Sequence, residues 1–293
     1  MVYAKLDWFT VLMYHCSFKD ILEKFHVYNE AYDQFLSEPM MRNAGYTTDV
    51  IFSSDYLVLS VDINSYIKRD DDIFATVWDK VRIDISGTKL DGLRAVFNEY
   101  EQDLDALLLT QEFFGTYKED FTVTRADFAF DFVNHQGDFL DNLLGWIKKC
   151  EYDRNFGSGF NNSFYLGSNG RTSKYSYRCG SGEKCVYFGT VRSDKLLRIY
   201  DKKLEQTKQG VFIPPACFAE YGDREVDSWF RIELQTRRNK SYEVLYSCNG
   251  DLKNVLSYVF DNYLIHDPKT HRPLQIFLDL YDFKKLPKLI CTK

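Results

Sequence analysis

The sequence predicts an α+β protein: an antiparallel β-sheet core with helices packed on one face and further helices at the C-terminal end. Three observations predict it. Several runs alternate apolar and polar residues with the period of a strand, among them "TRADFAFDF", "LRIYDK" and "FRIELQTR". Other segments space their apolar residues as a helix does, such as "SFKDILEKFHVYNEAYDQFL". Two helical patterns run from Ser241 to Tyr263, where they would cover a sheet face, ahead of a turn at "HDPKTHRPL" and an amphipathic tail.

The elements follow in order. "KLDWFTVLMY" is a strand; its apolar run "WFTVLMY" follows Lys5 and Asp7 and lacks the small-residue cleavage site of a signal peptide. The helical segment after it has Phe18, Ile21, Leu22 and Phe25 at helical spacing behind a Ser17 cap. "TTDVIFSSDYLVLSVDI" reads as a hairpin turning at Ser-Ser-Asp. "FATVWDKVRIDISG" is another strand, and "LDGLRAVFNEYEQDLDALLLTQEFF" one or two helices. "FTVTRADFAFDFV" is a strand and "FLDNLLGWIKKCE" a helix. From Phe156 to Gly182 the chain is rich in Gly, Ser, Asn and Tyr, which predicts a long loop or short hairpins. "KCVYFGT", "KLLRIYDK" and "WFRIELQTRR" complete the strands.

Composition narrows the function. With 45% hydrophobic and 17% aromatic residues among 293, the chain buries a sizeable core. No apolar run approaches the roughly 18 residues of a membrane span. Seven scattered cysteines without a CxxC pair fit reduced thiols in a cytoplasm rather than a zinc site or a disulfide framework. The net charge of −6 argues against a nucleic-acid partner, but its distribution does not. Residues 1–120 hold 11 basic and 22 acidic side chains, residues 121–293 hold 26 and 21, and residues 171–203 hold nine and three.

Three strands share one design. One face of the first carries Arg125, Asp127, Ala129 and Asp131. One face of the second carries Arg198, Tyr200 and Lys202, and one face of the third carries Arg231, Glu233, Gln235 and Arg237. A sheet face turned to water explains any one of these strands. Together, in one sheet, they would gather carboxylates, guanidinium groups and one phenol on one surface. Asp127, Glu233 and Asp131 are hard oxygen ligands suited to Mg²⁺ or Mn²⁺. Arg198 and Lys202 flank Tyr200, favour its phenolate over the ordinary phenol, and suit it to attack a phosphate. Arg125 and Arg231 would orient carboxylates or hold phosphate. Arg171, Lys174 and Arg178 are further candidate phosphate contacts.

These segments resemble a known family. "KCVYFGTVRSDKLLRIYDKKLEQ" is similar to the catalytic segment of the rolling-circle replication initiators of small Gram-positive plasmids, whose relatives include relaxases of conjugative elements. The matching residues are Tyr187, Gly189, Ser193, Arg198, Tyr200, Lys202 and Glu205. "TRADFAFD", "WFRIELQTRR" and "VRIDISGTKLDGLR" resemble the family's other strands, in the same order. The resemblance implies an α+β fold on an antiparallel sheet and nicking of one DNA strand at an origin. It implies a tyrosine left on the 5′-phosphate, a divalent metal, a homodimer and a helicase partner. The expected layout is a nicking domain over residues 1–240 with a helical extension over 241–293 packed on it, or one continuous domain. Tyr187, which lacks a flanking cation on its own strand face, is the competing nucleophile. A non-catalytic origin-binding or regulatory protein on the same scaffold is the alternative, and a metal nuclease using water is a third reading.

Overall fold

The structure, a computed structural model, describes residues 2–37, 40–44, 47–110, 113–134, 138–155, 163–166, 171–180, 183–190, 192–208, 226–247, 251–263, 265–266 and 289–291. In chain order these form β1 (Val2–Cys16), α1 (Phe18–Lys24), α2 (Tyr28–Ser37), β2 (Met40–Ala44), β3 (Thr47–Ser53), β4 (Val58–Asp62) and β5 (Tyr66–Lys68). There follow β6 (Val77–Ser86), α3 (Gly87–Glu99), α4 (Leu104–Leu108), β7 (Phe121–Val133), α5 (Phe139–Asn155), β8 (Ser163–Leu166), β9 (Arg171–Gly180) and β10 (Glu183–Phe188). The last are β11 (Lys195–Asp201), α6 (Lys202–Lys208), β12 (Trp229–Arg237), α7 (Asn239–Ser247), α8 (Leu252–Tyr263), β13 (Ile265–His266) and β14 (Leu289–Cys291). The fold is α+β with a mostly antiparallel sheet, as the alternating runs predict. No described helix is long and apolar enough to cross a membrane.

The chain divides into two compact units. The first comprises Met1–Lys5, Phe128–Gln235 and Leu252–Thr292. The second comprises Leu6–Asp127 and Thr236–Asp251, with Lys293.

In the second unit the strand order is β7-β1-β6-β4-β3-β2, with β5 beside β6. β1 and β6 pair antiparallel, Thr10 facing Asp84 and Leu12 facing Arg82. Phe9, Val11, Val81 and Ile83 are buried where these strands turn inward. Helix α1 adds Phe18, which stacks on Trp78 at 5.7 Å and meets Phe52 edge-on at 5.1 Å. Ser17 caps that helix: its hydroxyl accepts from Asp20 N at 3.1 Å, and Asp20 Oδ2 accepts in return from Ser17 N at 2.9 Å. The one long helix expected here is two. α1 ends at Lys24 with Phe25 as its cap, and the chain turns at His26, whose φ of 57° lies in the left-handed region. Arg94 of α3 is buried but fully answered: it donates to Asp105 at 2.8 Å, to Asp91 at 2.6 Å and to the Leu6 carbonyl at 2.6 Å.

In the first unit the order is β13-β8-β9-β10-β11-β12-β7. The glycine-rich stretch after α5 contains the hairpin β8–β9, with Ser163 facing Lys174. Phe230 on β12 stacks between Phe132 of β7 and Phe139 of α5, each at 4.7 Å. The β10–β11 connection turns at Gly189, φ 103°, where a Cβ would lie 2.7 Å from the Lys195 carbonyl oxygen. The Ser193 hydroxyl closes this turn by accepting from Thr190 N at 3.2 Å.

Candidate active site

The site is assembled by three neighbouring strands of the first unit, β11, β12 and β7. β12 is unusual. Every residue from Trp229 to Thr236 is buried, including Arg231, Glu233 and Gln235. Alternation on this strand therefore does not mark a face turned to water. Both faces are covered, and the polar face is a buried network. Burial of charged side chains is far more informative than exposure would have been.

Two sets of contacts make up that network. The Tyr200 hydroxyl donates to Glu233 Oε2 at 3.2 Å. Arg198 Nη2 ion-pairs with Glu233 Oε1, and its guanidinium lies 5.7 Å from the Tyr200 ring centroid. Lys202 Nζ is also 5.7 Å from that ring and pairs with Glu205. The second set is the Asp131 carboxylate, held on both oxygens. Arg231 Nε donates to Oδ1 at 2.7 Å and Nη2 to Oδ2 at 2.8 Å, while the Trp229 indole donates to Oδ1 at 2.8 Å.

The sequence expectations divide accordingly. Tyr200, Arg198, Lys202 and Glu233 do come together. Tyr200 is 9% exposed rather than open on a surface. Lys202 is not on the strand: β11 ends at Asp201, whose carboxylate accepts from Leu204 N at 2.8 Å, and Lys202 begins α6. Arg231 is committed to Asp131. Arg125 and Asp127 fall in the second unit, where Arg125 Nε donates to the Asp127 carboxylate at 3.1 Å. Arg171, Lys174 and Arg178 lie on β9, where Arg178 faces Cys185 in the register, but their side chains are outside the described residues. Tyr187 pairs directly with Arg198 across β10 and β11, so it shares the site's face, a relation that its own strand does not reveal. Trp229 was not singled out from sequence. An indole two residues before an arginine carries no signal until the register of the neighbouring strand is known.

The three carboxylates expected to hold Mg²⁺ or Mn²⁺ are each engaged by an arginine: Asp127 by Arg125, Asp131 by Arg231, and Glu233 by Arg198. Among the described residues no group of three or more His, Cys, Asp or Glu side chains is placed to hold a metal. As arranged, this donor set does not fit an ion.

Comparison with known proteins places the chain. Residues 121–271, a little over half of it, match the family model described as replication initiation factor. The fold is similar to that of the rolling circle replication initiator protein from Geobacillus stearothermophilus, with a TM-score of 0.59 at 15% identity over 100% of both chains. No curated protein matches the sequence. The matched span contains β7, β10, β11 and β12, the strands that carry the tyrosine and its partners. The chain belongs to the replication initiation factor family.

Proposed function

We propose that this protein nicks and rejoins one DNA strand at a replication or transfer origin, with Tyr200 as the nucleophile. The observation that carries this reading is the Tyr200 hydroxyl, hydrogen-bonded to Glu233, with two cations each 5.7 Å from its ring centroid. Glu233 takes the phenol proton along the hydrogen bond. The phenolate oxygen forms a bond to phosphorus, the P–O3′ bond breaks, and the departing 3′ oxygen takes a proton from water. One ester replaces another, so the 5′-phosphotyrosine keeps the energy needed to reseal the strand. Arg198 and Lys202 stabilise the negative charge on the phosphoryl oxygens as the bond to phosphorus forms.

Burial adds a requirement. The phenol is covered and Arg198 is committed to Glu233, so the guanidinium must swing toward an arriving phosphate. Its side chain is 35% exposed, which leaves room for that exchange. A divalent ion, Mg²⁺ or Mn²⁺, belongs to the reading through the family resemblance alone, and no step above runs through one. A homodimer, a helicase partner and a cytoplasmic setting rest on the same resemblance.

The test is incubation with supercoiled plasmid bearing the cognate origin, in buffer with Mg²⁺ or Mn²⁺. The expected products are relaxed circles carrying covalently attached protein, with the linkage mapped to Tyr200 by mass spectrometry. Retarded but uncut plasmid supports a non-catalytic binder instead. Cutting that survives Tyr200→Phe supports a nuclease that uses water. An adduct on Tyr187 would transfer the nucleophile's role to the neighbouring strand.

A further inference from the structure

The second unit repeats one arginine device on two strands. On β6, Arg82 donates Nε to Asp84 Oδ2 at 2.7 Å and Nη2 to Oδ1 at 3.1 Å. On β7, Arg125 donates Nε to Asp127 Oδ1 at 3.1 Å, and Nη2 to the same carboxylate. β1 lies between these strands in the sheet and carries Trp8. Trp8 is tied to both sides. Its indole N–H donates to Thr10 Oγ1 at 3.2 Å, and the Thr10 hydroxyl donates to Asp84 Oδ1 at 2.6 Å. Its ring carries the Arg125 guanidinium, 4.1 Å from the centroid.

Each carboxylate grips the Nε–Nη2 edge of its arginine. The Nη1 end of each fork has no protein partner among the described residues, and neither end is sealed from solvent. The side chains are 54% exposed for Arg82 and 26% for Arg125. A strand face that only meets water needs no stacking indole and no buried Asp127, which is 1% exposed. Two guanidinium forks pinned in place, two strands apart, match what phosphate recognition needs: planar donors with their rotamers already chosen. Adjacent strands are about 4.8 Å apart, so β1 sets the two forks about 10 Å apart across the sheet. They are further offset along it, since Arg82 faces Leu12 while Arg125 stacks on Trp8; that spacing suits separate phosphates of one DNA strand. Because each arginine is partly neutralised by its aspartate, recognition is by contact rather than by a long-range field.

We infer that Arg82 and Arg125 bind the phosphodiester backbone of single-stranded DNA, and that Trp8 is a positioning residue that holds the free edge of Arg125 outward. This rests on the reading of the chain as a DNA-processing protein.

The experiment measures binding of a fluorescein-labelled oligothymidylate by anisotropy over a salt series. Tyr200→Phe protein is the parent, so cleavage does not interfere. Arg82→Gln and Arg125→Gln are each expected to weaken binding about tenfold and to reduce the salt slope by about 0.7, one single-strand phosphate contact each. Trp8→Leu should weaken binding several-fold in the parent and no further in the Arg125→Gln background. Trp8→Phe, which keeps a ring under the guanidinium and tests the site if the leucine variant does not fold, should bind nearly as the parent does. An unchanged slope in both arginine variants overturns the inference, as does a Trp8→Leu loss of equal size with and without Arg125. If those arginine variants bind as the parent does while the unmodified tyrosine still forms its covalent adduct, the platform fails and the nicking function stands. A parent that binds no oligothymidylate overturns the platform, and a chain that also forms no adduct overturns the nicking reading with it.

Discussion

Glu233 and Tyr200 face each other across neighbouring strands, the phenol oxygen 3.2 Å from Oε2, with the carboxylate also bound by Arg198. Tyr200→Phe removes the nucleophile and one hydrogen bond to a charged group. It is expected to abolish the covalent adduct while lowering stability by about 1–2 kcal/mol, because Arg198 still answers the carboxylate. Urea denaturation and denaturing gels of reaction mixtures measure the two effects separately.

Arg198→Gln takes the guanidinium away from Glu233, which is 1% exposed and keeps its hydrogen bond from the Tyr200 hydroxyl. Breaking a buried pair costs about 3–5 kcal/mol; with Arg198 one-third exposed, about 2 is expected. The double variant Arg198→Met with Glu233→Leu should recover most of that stability and none of the adduct formation. Chemical denaturation of the parent, the single variant and the double variant checks it.

Asp131→Asn strips the charge that answers Arg231, which is itself 4% exposed. A loss of about 3–5 kcal/mol is expected. Trp229→Phe removes one donor to the same carboxylate and should cost about 1 kcal/mol. A reversed order in the denaturation midpoints would show that the indole, not the guanidinium, is the principal support.

Gly189→Ala forces a side chain into φ 103° and against the Lys195 carbonyl. A penalty of at least about 1–3 kcal/mol follows from the backbone strain, before any clash. Ser193→Ala, which loses only a turn hydrogen bond, should cost less in thermal denaturation.

Alkaline pH should destabilise the second unit. Burial, with Asp20 nearby, pushes the Cys16 thiol from 9.0 up to about 12, and burial also raises the Tyr246 phenol. Each group keeps its proton in the folded chain at a pH where the unfolded chain has lost it. Their contribution is therefore full below pH 9 and is lost as pH rises toward 12. The Tyr246 hydroxyl is buried without a partner among the described residues, so Tyr246→Phe should raise stability by about 1 kcal/mol and flatten the alkaline slope. Denaturation midpoints from pH 8 to pH 11 test the sign.

Periodicity made most strands and helices readable, because alternating and helical spacing of apolar residues is a local signal. The break between α1 and α2 was not, since His26 lacks the usual glycine of a left-handed turn. Tyr200 and its two cations were readable from five consecutive residues. That Glu233 pairs with Arg198, that Arg231 belongs to Asp131, and that Tyr187 stands opposite Arg198 all depend on register, which joins residues distant in sequence. Lys202 was misplaced because the strand pattern runs straight into a helix capped by Asp201. The burial of β12 was hidden for a related reason: polar alternation looks the same whether water or protein covers it.

The ion pairs Arg198–Glu233 and Arg231–Asp131 each join a strand to its neighbour. A slide of two residues along either boundary would keep every side chain on its face yet part the pair that crosses it, stranding a buried carboxylate away from its arginine. Strand alignment and chemistry are thus latched together. Substitutions that let these strands slip should erase catalysis and sheet order in one step, while exchanges of apolar residues on the opposite face leave the alignment standing.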